Sequence, residues 1–469
     1  MLRRTSLLCQ AGLALALAAL PAPHARAADQ SGLAANTAIS GPALTFDWPA
    51  IEIGVGSYEE GPTGVTIFRF PKGATAAVDV RGGAPGTVNT DLLRLGYGAP
   101  FVRAVVLTGG SAYGEEAITA VETGLKDDGA ASGAWDDIAL VPGAVIYDFG
   151  GRRLNAIYPD KRLAQAALHA LRPGVFPLGA QGAGRMAMQG GYFNCLAHSG
   201  QGGAFRQVGA TKIAAFVVVN ALGAVTDRDG RLASCNRGKS WGDLAKTSEL
   251  LGHLPESLKP QWDASAAEKA LGAPSQANTT ISLVVTNQKL LPWALQRLAV
   301  QVQSAMARAI QPFSTQLDGD TLFAVSTGEV EGKELSPLTL GAIAGELMWD
   351  AILASVPQEE PFVPPATPAA VGVDTLAAYA GKYAFGDAAL LEVRVEDGKL
   401  MIRSAGEGPV FEFGKAKPTA AIALSASEFY VDGRYHTRIA FTKDQAGGVT
   451  GAVLNPGRWE QIGKRAAAD

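Results

Sequence analysis

Histidine, cysteine and blocks of charge are all scarce in this 469-residue chain, and each scarcity removes a class of function. The 5 histidines are His24, His169, His198, His253 and His436, and none falls in the His-Glu-x-x-His pattern of a zinc hydrolase. The 3 cysteines are Cys9, Cys195 and Cys235. None has a second Cys or a His at zinc-finger spacing, so neither a structural metal nor a cofactor is expected. The 40 basic and 44 acidic side chains are interspersed, with a net charge of −4. That balance leaves no electrostatic footprint for a nucleic acid or an anionic membrane surface. Beyond the first residues no apolar run reaches the ~18 residues a spanning helix needs, so no membrane partner is expected.

Glycine, by contrast, is abundant at 56 residues and gathers in short loops between apolar runs. This suits a strand-rich α/β protein with tight connections rather than a disordered chain. Residues 1–27 read as an export signal, with basic Arg3-Arg4, an apolar stretch from Leu7 to Leu20, and a small-x-small cleavage site at Ala25-Arg26-Ala27. Arg3-Arg4 is also the pair a twin-arginine signal carries. A periplasmic or secreted mature protein is expected, from which Cys9 has been removed. In an oxidising compartment Cys195 and Cys235 either pair or remain two buried thiols.

The rest of the chain divides by composition. Residues 28–45 read as an irregular lead. Apolar-polar runs from Ile51 to about Val80, such as Gly64-Val65-Thr66-Ile67-Phe68-Arg69-Phe70, predict antiparallel strands. Ala104 to Thr108, Ile138 to Pro142, Val145 to Tyr147, Ile213 to Val219 and Leu322 to Val325 read as further strands. Helical periodicity marks Ala117 to Leu125, Leu163 to Leu171, Trp293 to Ile310 and Leu340 to Leu353. Such alternation predicts a layered α/β sandwich over residues 28–356. Residues 227–277 are polar and read as a surface connection accessible to cleavage, with helical pieces at Leu244 to Leu251 and Ala264 to Leu271. A Pro-rich linker, 357–372, leads to residues 373–469, whose short alternating runs predict a small antiparallel β domain.

Asn278-Thr279-Thr280 opens a β-branched run, Ile281 to Thr286, and reads in three ways. It is a formal N-glycosylation acceptor, a turn before a strand, or an N-terminal nucleophile awaiting exposure. Breaking the Asn278–Thr279 bond would give Thr279 a free α-amine beside its hydroxyl, and that amine supplies the general base an alcohol lacks. Leu317-Asp318-Gly319-Asp320-Thr321 sets two carboxylates before a strand, as a turn, a calcium loop, or a pair that orients an amine. Gly109-Gly110-Ser111-Ala112-Tyr113-Gly114 fails the nucleophile-elbow spacing because Tyr113 stands at the second glycine. It reads as a tight backbone turn, as does Gly182-Ala183-Gly184.

In order and spacing, these segments resemble the DmpA-type aminopeptidases, the self-processing N-terminal-nucleophile hydrolases that include the nylon-oligomer endo-amidase. The likeness runs from about Leu44 to Val356. It rests on Gly64-Val65-Thr66, Val80 to Thr87, Val106 to Gly114, Val141 to Asp148, Val218 to Ala221, Asn278 to Ile281, and Asp318 to Thr321. The resemblance implies an αββα sandwich cut between Asn278 and Thr279 into an α subunit (28–278) and a β subunit beginning at Thr279. It further implies Thr279 as nucleophile, Asn220 in the oxyanion hole, Tyr147 at the active site, and Asp318 and Asp320 as the acidic pair of the threonine branch. A homo-oligomer of cleaved protomers is expected, acting on a short peptide or oligoamide. Residues 373–469 resemble the lipocalin-like β domain appended to some secreted hydrolases, through Tyr379-Ala380-Gly381-Lys382-Tyr383.

Two departures stand out. Where the family carries a lysine in a Gly-Gly-x-Lys-Gly-Gly loop, this chain reads Gly190-Gly191-Tyr192-Phe193-Asn194-Cys195, and Lys212 is too distant to substitute. Glu115-Glu116 replaces the usual Leu-Asp. The leading expectation is an exported, self-cleaving aminopeptidase or amidohydrolase. The alternatives are an endo-amidase of oligoamides and a secreted binding protein with a degenerate site. The related ornithine acetyltransferases share the self-cleaving fold, but export makes little sense for them.

Overall fold

Strand alternation distributes the buried side chains among three cores, and those cores define the layers. In Thr211–Asn220, Ala214, Phe216 and Val218 enter a central core while Ile213, Ala215, Val217 and Val219 enter an outer one. The same division holds for Ile281, Leu283 and Val285 against Val284, and for Phe323 and Val325 against Leu322 and Ala324. On the other side, Val105 and Leu107 face the central core while Ala104 and Val106 face a third. A period of two with both faces apolar is what a sheet buried on both sides requires.

The computed structural model describes residues 30–96, 101–132, 134, 137–149, 156–193, 197–234, 246–258, 278–331, 334–357, 365–385, 389–406, 410, 413–432, 436–457 and 459–467. The signal segment, Cys195, Cys235, residues 358–364 of the Pro-rich linker and the Ala264–Leu271 piece lie outside the described residues. The main sheet runs in the order Gln201–Val208, Thr211–Asn220, Thr279–Gln288, Thr321–Val330, Thr63–Val80, Phe101–Thr108, Gly143–Val145, Thr87–Val88. Thr279–Gln288 and Thr321–Val330 are parallel, as are Phe101–Thr108 and Gly143–Val145, and the remaining pairs are antiparallel.

Thr63–Val80 belongs to both layers. Its end, Thr75–Val80, pairs with Thr321–Ser326, while its start, Thr63–Arg69, pairs with Glu52–Tyr58. The register of its pairing with Phe101–Thr108 shifts between Arg69 and Ala74, where Gly73 takes φ +71°. A glycine supplies that left-handed step without strain. Helices Pro292–Met306 and Pro337–Ala354 close one outer core, and Ser111–Asp127 and Lys161–His169 close the other. The result is the αββα sandwich.

Pro337–Ala354 starts cleanly because the Ser336 hydroxyl accepts the Thr339 amide at 3.1 Å and Pro337 occupies the first turn. Among the described residues it is the one helix long and apolar enough to cross a membrane. Here Leu340, Ala344, Leu347, Met348 and Ile352 pack into the outer core, and Glu346 and Asp350 pair outward with Arg228.

Several expectations need correction. The strand expected over Val145 to Tyr147 ends at Val145, and the irregular lead contains the strand Ala43–Thr45, paired with Val175–Pro177. Ile138 to Pro142 forms no strand, because the Leu140 amide turns back to the Ile138 carbonyl, single hydrogen bonds from Arg103 and Val106 replace a ladder, and Pro142 has no amide to give. Ile310 falls outside its helix, which ends at Met306, and pairs instead with Val225.

Eight antiparallel strands from Gly381 to Arg465 close into a barrel through Tyr383–Arg465 and Ala384–Lys464. Its interior is filled by side chains, with Tyr379 stacked on Phe441 at 4.2 Å and Tyr383, Phe385, Leu391 and Phe429 around them.

Phe216 centres the sandwich core, with ring centroids 4.8 Å from Phe68 and 4.9 Å from Phe176. Phe216→Ala should cost about 3–5 kcal/mol of sandwich stability, read as a lower urea midpoint, with the barrel transition unmoved.

Candidate active site

The loop before the Thr321–Val330 strand folds around its own carboxylates. Asp318 Oδ2 accepts the Thr315 amide at 3.0 Å and the Thr315 hydroxyl, and Oδ1 accepts the Leu222 amide at 3.2 Å. Asp320 Oδ2 accepts the Ser314 amide at 2.8 Å, and Oδ1 accepts the Thr280 amide at 2.6 Å. Asp320 therefore ties this loop to the strand that Thr279 opens, while Asp318 ties it to the end of the Asn220 strand.

Glycines bring the chain close enough for this. The amides of Arg81 and Gly82 donate to the Asp320 carbonyl, and Ala84 donates to that of Asp318. A Cβ on Gly82 would sit 2.2 Å from the Asp320 nitrogen, so only glycine permits the approach. This is the physical content of the Arg81-Gly82-Gly83-Ala84 motif.

Thr279 lies directly opposite Asn220 in the antiparallel ladder and is 4% exposed. Its hydroxyl donates to the Asn278 carbonyl at 2.6 Å, and the Gly319 amide donates to the same carbonyl at 2.9 Å. A hydroxyl oxygen thus rests on the carbonyl group before it, and a fixed N–H points where negative charge would develop if that carbonyl were attacked. A Cβ at Gly319 would stand 2.7 Å from the Ala84 carbonyl and 2.9 Å from Thr279 Oγ1.

Asn220 is held at both ends of its amide. Oδ1 accepts the Met188 amide at 3.0 Å, and Nδ2 donates to the Tyr147 carbonyl at 2.9 Å. Tyr147 reaches the site through that carbonyl, while its half-buried ring tilts against Phe149 at 5.1 Å. Tyr113 continues the row, 6.1 Å from Phe149 and 5.9 Å from Tyr158. Thr279, Asn220, Tyr147, Asp318 and Asp320 are therefore brought into one neighbourhood.

Phe193 lies in the interior at 1% exposed, edge-on to Tyr192 at 5.2 Å. Its loop is fastened to the residues after Asn220, with Gly190 donating to Gly223 and Tyr192 to Leu222, both at 2.8 Å. An apolar ring fills the place where the family resemblance puts a lysine. Lys212 stands at the far end of the Asn220 strand and donates to the Asp47 carbonyl at 2.7 Å.

The acidic pair is poorly solvated, and among the described residues neither carboxylate has an ion-pair partner. Burial pushes both upward; Asp320, also repelled by Asp318, reaches about 7. Two further contributors carried little sequence signal. Asp148, 3% exposed, accepts the Thr63 hydroxyl at 2.7 Å and the Gly110 amide at 3.0 Å, pinning the Gly109-Gly110-Ser111 turn. Gly319 was legible only as a turn glycine. That turn confirms a strand–turn–helix context, with Gly110 at φ +85° and Ser111 at +52°.

Comparison with known proteins places these residues in context. The family model described as peptidase family S58 matches residues 44–361. A 6-aminohexanoate-oligomer endohydrolase of Paenarthrobacter ureafaciens is 40% identical over 321 residues, covering 66% of this chain and 85% of that protein. Another of the same name, from Agromyces sp. (strain KY5R), is 40% identical with the same coverage. The L-aminopeptidase D-Ala-esterase/amidase of Ochrobactrum anthropi, a solved structure, overlays with a TM-score of 0.47 at 18% identity, covering 68% of this chain and 88% of that one.

The raised Asp320 makes stability depend on pH. Its folded pKa of about 7 exceeds the ordinary carboxylate value, so its contribution is full below about pH 4 and lost as pH rises through about 7. The urea midpoint should fall between pH 5 and pH 8, and Asp320→Asn should flatten that fall. An unchanged slope in the variant would assign the dependence to other groups.

Proposed function

Because this chain belongs to peptidase family S58, a family of amide-bond hydrolases, we propose that it is an exported zymogen that cleaves itself before Thr279 and then works through that threonine. The observation that carries this reading is the Thr279 hydroxyl 2.6 Å from a carbonyl that Gly319 already polarises.

In the first step the Thr279 hydroxyl adds to the Asn278 carbonyl carbon, the Asn278–Thr279 C–N bond breaks, and the acyl group passes to Thr279 Oγ1 while the nitrogen takes up a proton. Water then hydrolyses the ester, leaving Asn278 as a carboxylate and Thr279 with a free amine. Gly319 supplies the N–H that meets the developing oxyanion in this step, since it already donates to the Asn278 carbonyl. The new amine arises one residue from the Thr280 amide that Asp320 anchors. In its protonated form that amine favours ionisation of the acidic pair, while its neutral form is the one that can act as a base.

In turnover the free amine takes the proton from Thr279 Oγ1 as it attacks a substrate amide, and gives it to the leaving amine. The acyl-enzyme is then hydrolysed. Asn220, opposite Thr279 in the ladder, is the side-chain donor for the substrate oxyanion through the second N–H of Nδ2, while the first stays on the Tyr147 carbonyl. Short peptides with a free amino terminus are the proposed substrates. The endohydrolase names of relatives at 40% identity favour a second reading, cleavage within oligoamides.

Intact mass of the purified protein tests the first step. Two fragments are expected, one running from residue 28 to Asn278 and one beginning at Thr279, with Thr279→Ala remaining a single chain. An uncleaved wild type removes the mechanism and leaves the degenerate binding protein. Aminoacyl anilides and end-blocked oligoamides then separate the two substrate readings, and Thr279→Ala should lower hydrolysis of either by at least about a thousandfold.

A further inference from the structure

The barrel reaches the sandwich at the segment that holds Asn220. Trp459 donates its indole N–H to the Ser199 carbonyl at 3.2 Å, and its ring stacks on His198 with centroids 4.8 Å apart and planes 21° from parallel. The neighbouring Glu460 carbonyl accepts Arg185 Nη2 at 2.9 Å, and the same guanidinium pairs with Glu59 at 2.7 Å. The covered groups are polar: Arg185 is 4% exposed, Ser199 is fully buried, and burial beside Arg185 lowers His198 to about 3, so its ring is neutral. A polar seam of this kind fixes orientation, because each donor demands its acceptor.

The path from there to the nucleophile is short. His198 pairs with Met188 in a two-residue ladder, and the Met188 amide donates to Asn220 Oδ1 at 3.0 Å. Ser199 also donates its hydroxyl to the Val219 carbonyl at 2.6 Å, and Val219 donates back to Gly200 at 3.0 Å. A ring stack, one ladder pair and one hydrogen bond therefore connect Trp459 to the Asn220 amide, which faces Thr279. Among the described residues the barrel's inward side chains form one apolar cluster, and Trp459 and Glu460 stand outside it against the sandwich.

We propose that Trp459 is a positioning residue, and that the appended barrel holds the Met188–His198 hairpin so that Asn220 keeps its oxygen on Met188 and its NH2 available to the oxyanion. An asparagine amide pinned at its oxygen cannot flip, and donor placement within a fraction of an ångström sets the rate. Trp459 lies outside residues 44–361, so this contribution is absent from the segment that the family model matches. The inference rests on the amidohydrolase reading for its kinetic effect, while the geometric link stands apart from it.

The test uses full-length protein as wild type, Trp459→Ala and Trp459→Phe. Trp459→Ala should lower kcat roughly tenfold with KM within about twofold of wild type, because a misplaced oxyanion donor weakens the transition state more than the ground state. Trp459→Phe, which keeps the stack on His198, should recover most of the rate. The side-chain amide resonances of 15N-labelled Asn220 should shift in Trp459→Ala and return toward wild type in Trp459→Phe. A kcat within twofold of wild type with unmoved Asn220 signals overturns the proposal. So does a loss that tracks a lower melting temperature and is equal in both variants. If the wild type hydrolyses nothing, the proposed function fails, and the Asn220 signals alone decide whether Trp459 positions that amide.

Discussion

The contact on which the site depends is the Gly319 amide against the Asn278 carbonyl. It requires the 314–320 loop to press on the start of the Thr279 strand with no side chain between them. Gly319 and Gly82 make that approach possible. Asp318 and Asp320 keep the loop in shape by taking up its amides together with those of Thr280 and Leu222. The carboxylates are in this sense structural before they are chemical.

Their arrangement has an electrostatic cost. Two carboxylates sit in a buried loop without an ion pair, and both are held above the usual carboxylate range. In the intact chain backbone amides offset part of that cost. The proposed cleavage would create an amine near the carboxylates that, when protonated, would offset part of that cost. Phe193 bears on the same balance, because an apolar ring occupies the position where the family resemblance puts a lysine. The positive charge at this site would then come from the Thr279 amine rather than from a second side chain.

The layers explain why these groups meet. Thr211–Asn220 and Thr321–Val330 flank Thr279–Gln288, and alternate residues of all three enter the central and outer cores. The ladder registers follow from that burial, since a one-residue slip would exchange the two faces. Asn220 and Thr279 stand opposite each other in that register. The barrel, closed on its own filled core, touches this frame through Trp459 and Glu460 at the hairpin beside Asn220.

Much of this was legible in the chain itself. Alternation and helical spacing marked the main strands and helices, because burial on both faces leaves a strong periodic trace. Local motifs marked Thr279 and the acidic pair as candidates, and the family resemblance added Asn220 and Tyr147. Ile138 to Pro142 reads as a strand and is not one, because β-propensity does not reveal whether a neighbour offers a ladder. By itself the sequence determined which segments are apolar, where the glycines permit close approach, and which residue types stand ready for chemistry. Only the tertiary structure decided that Gly319 polarises Asn278, that Met188 and Tyr147 grip Asn220 through backbone atoms, and that Trp459 lies three contacts from Asn220. Backbone amides and carbonyls are the same at every position, so their partners are set by how the layers pack and leave no mark in the residue order.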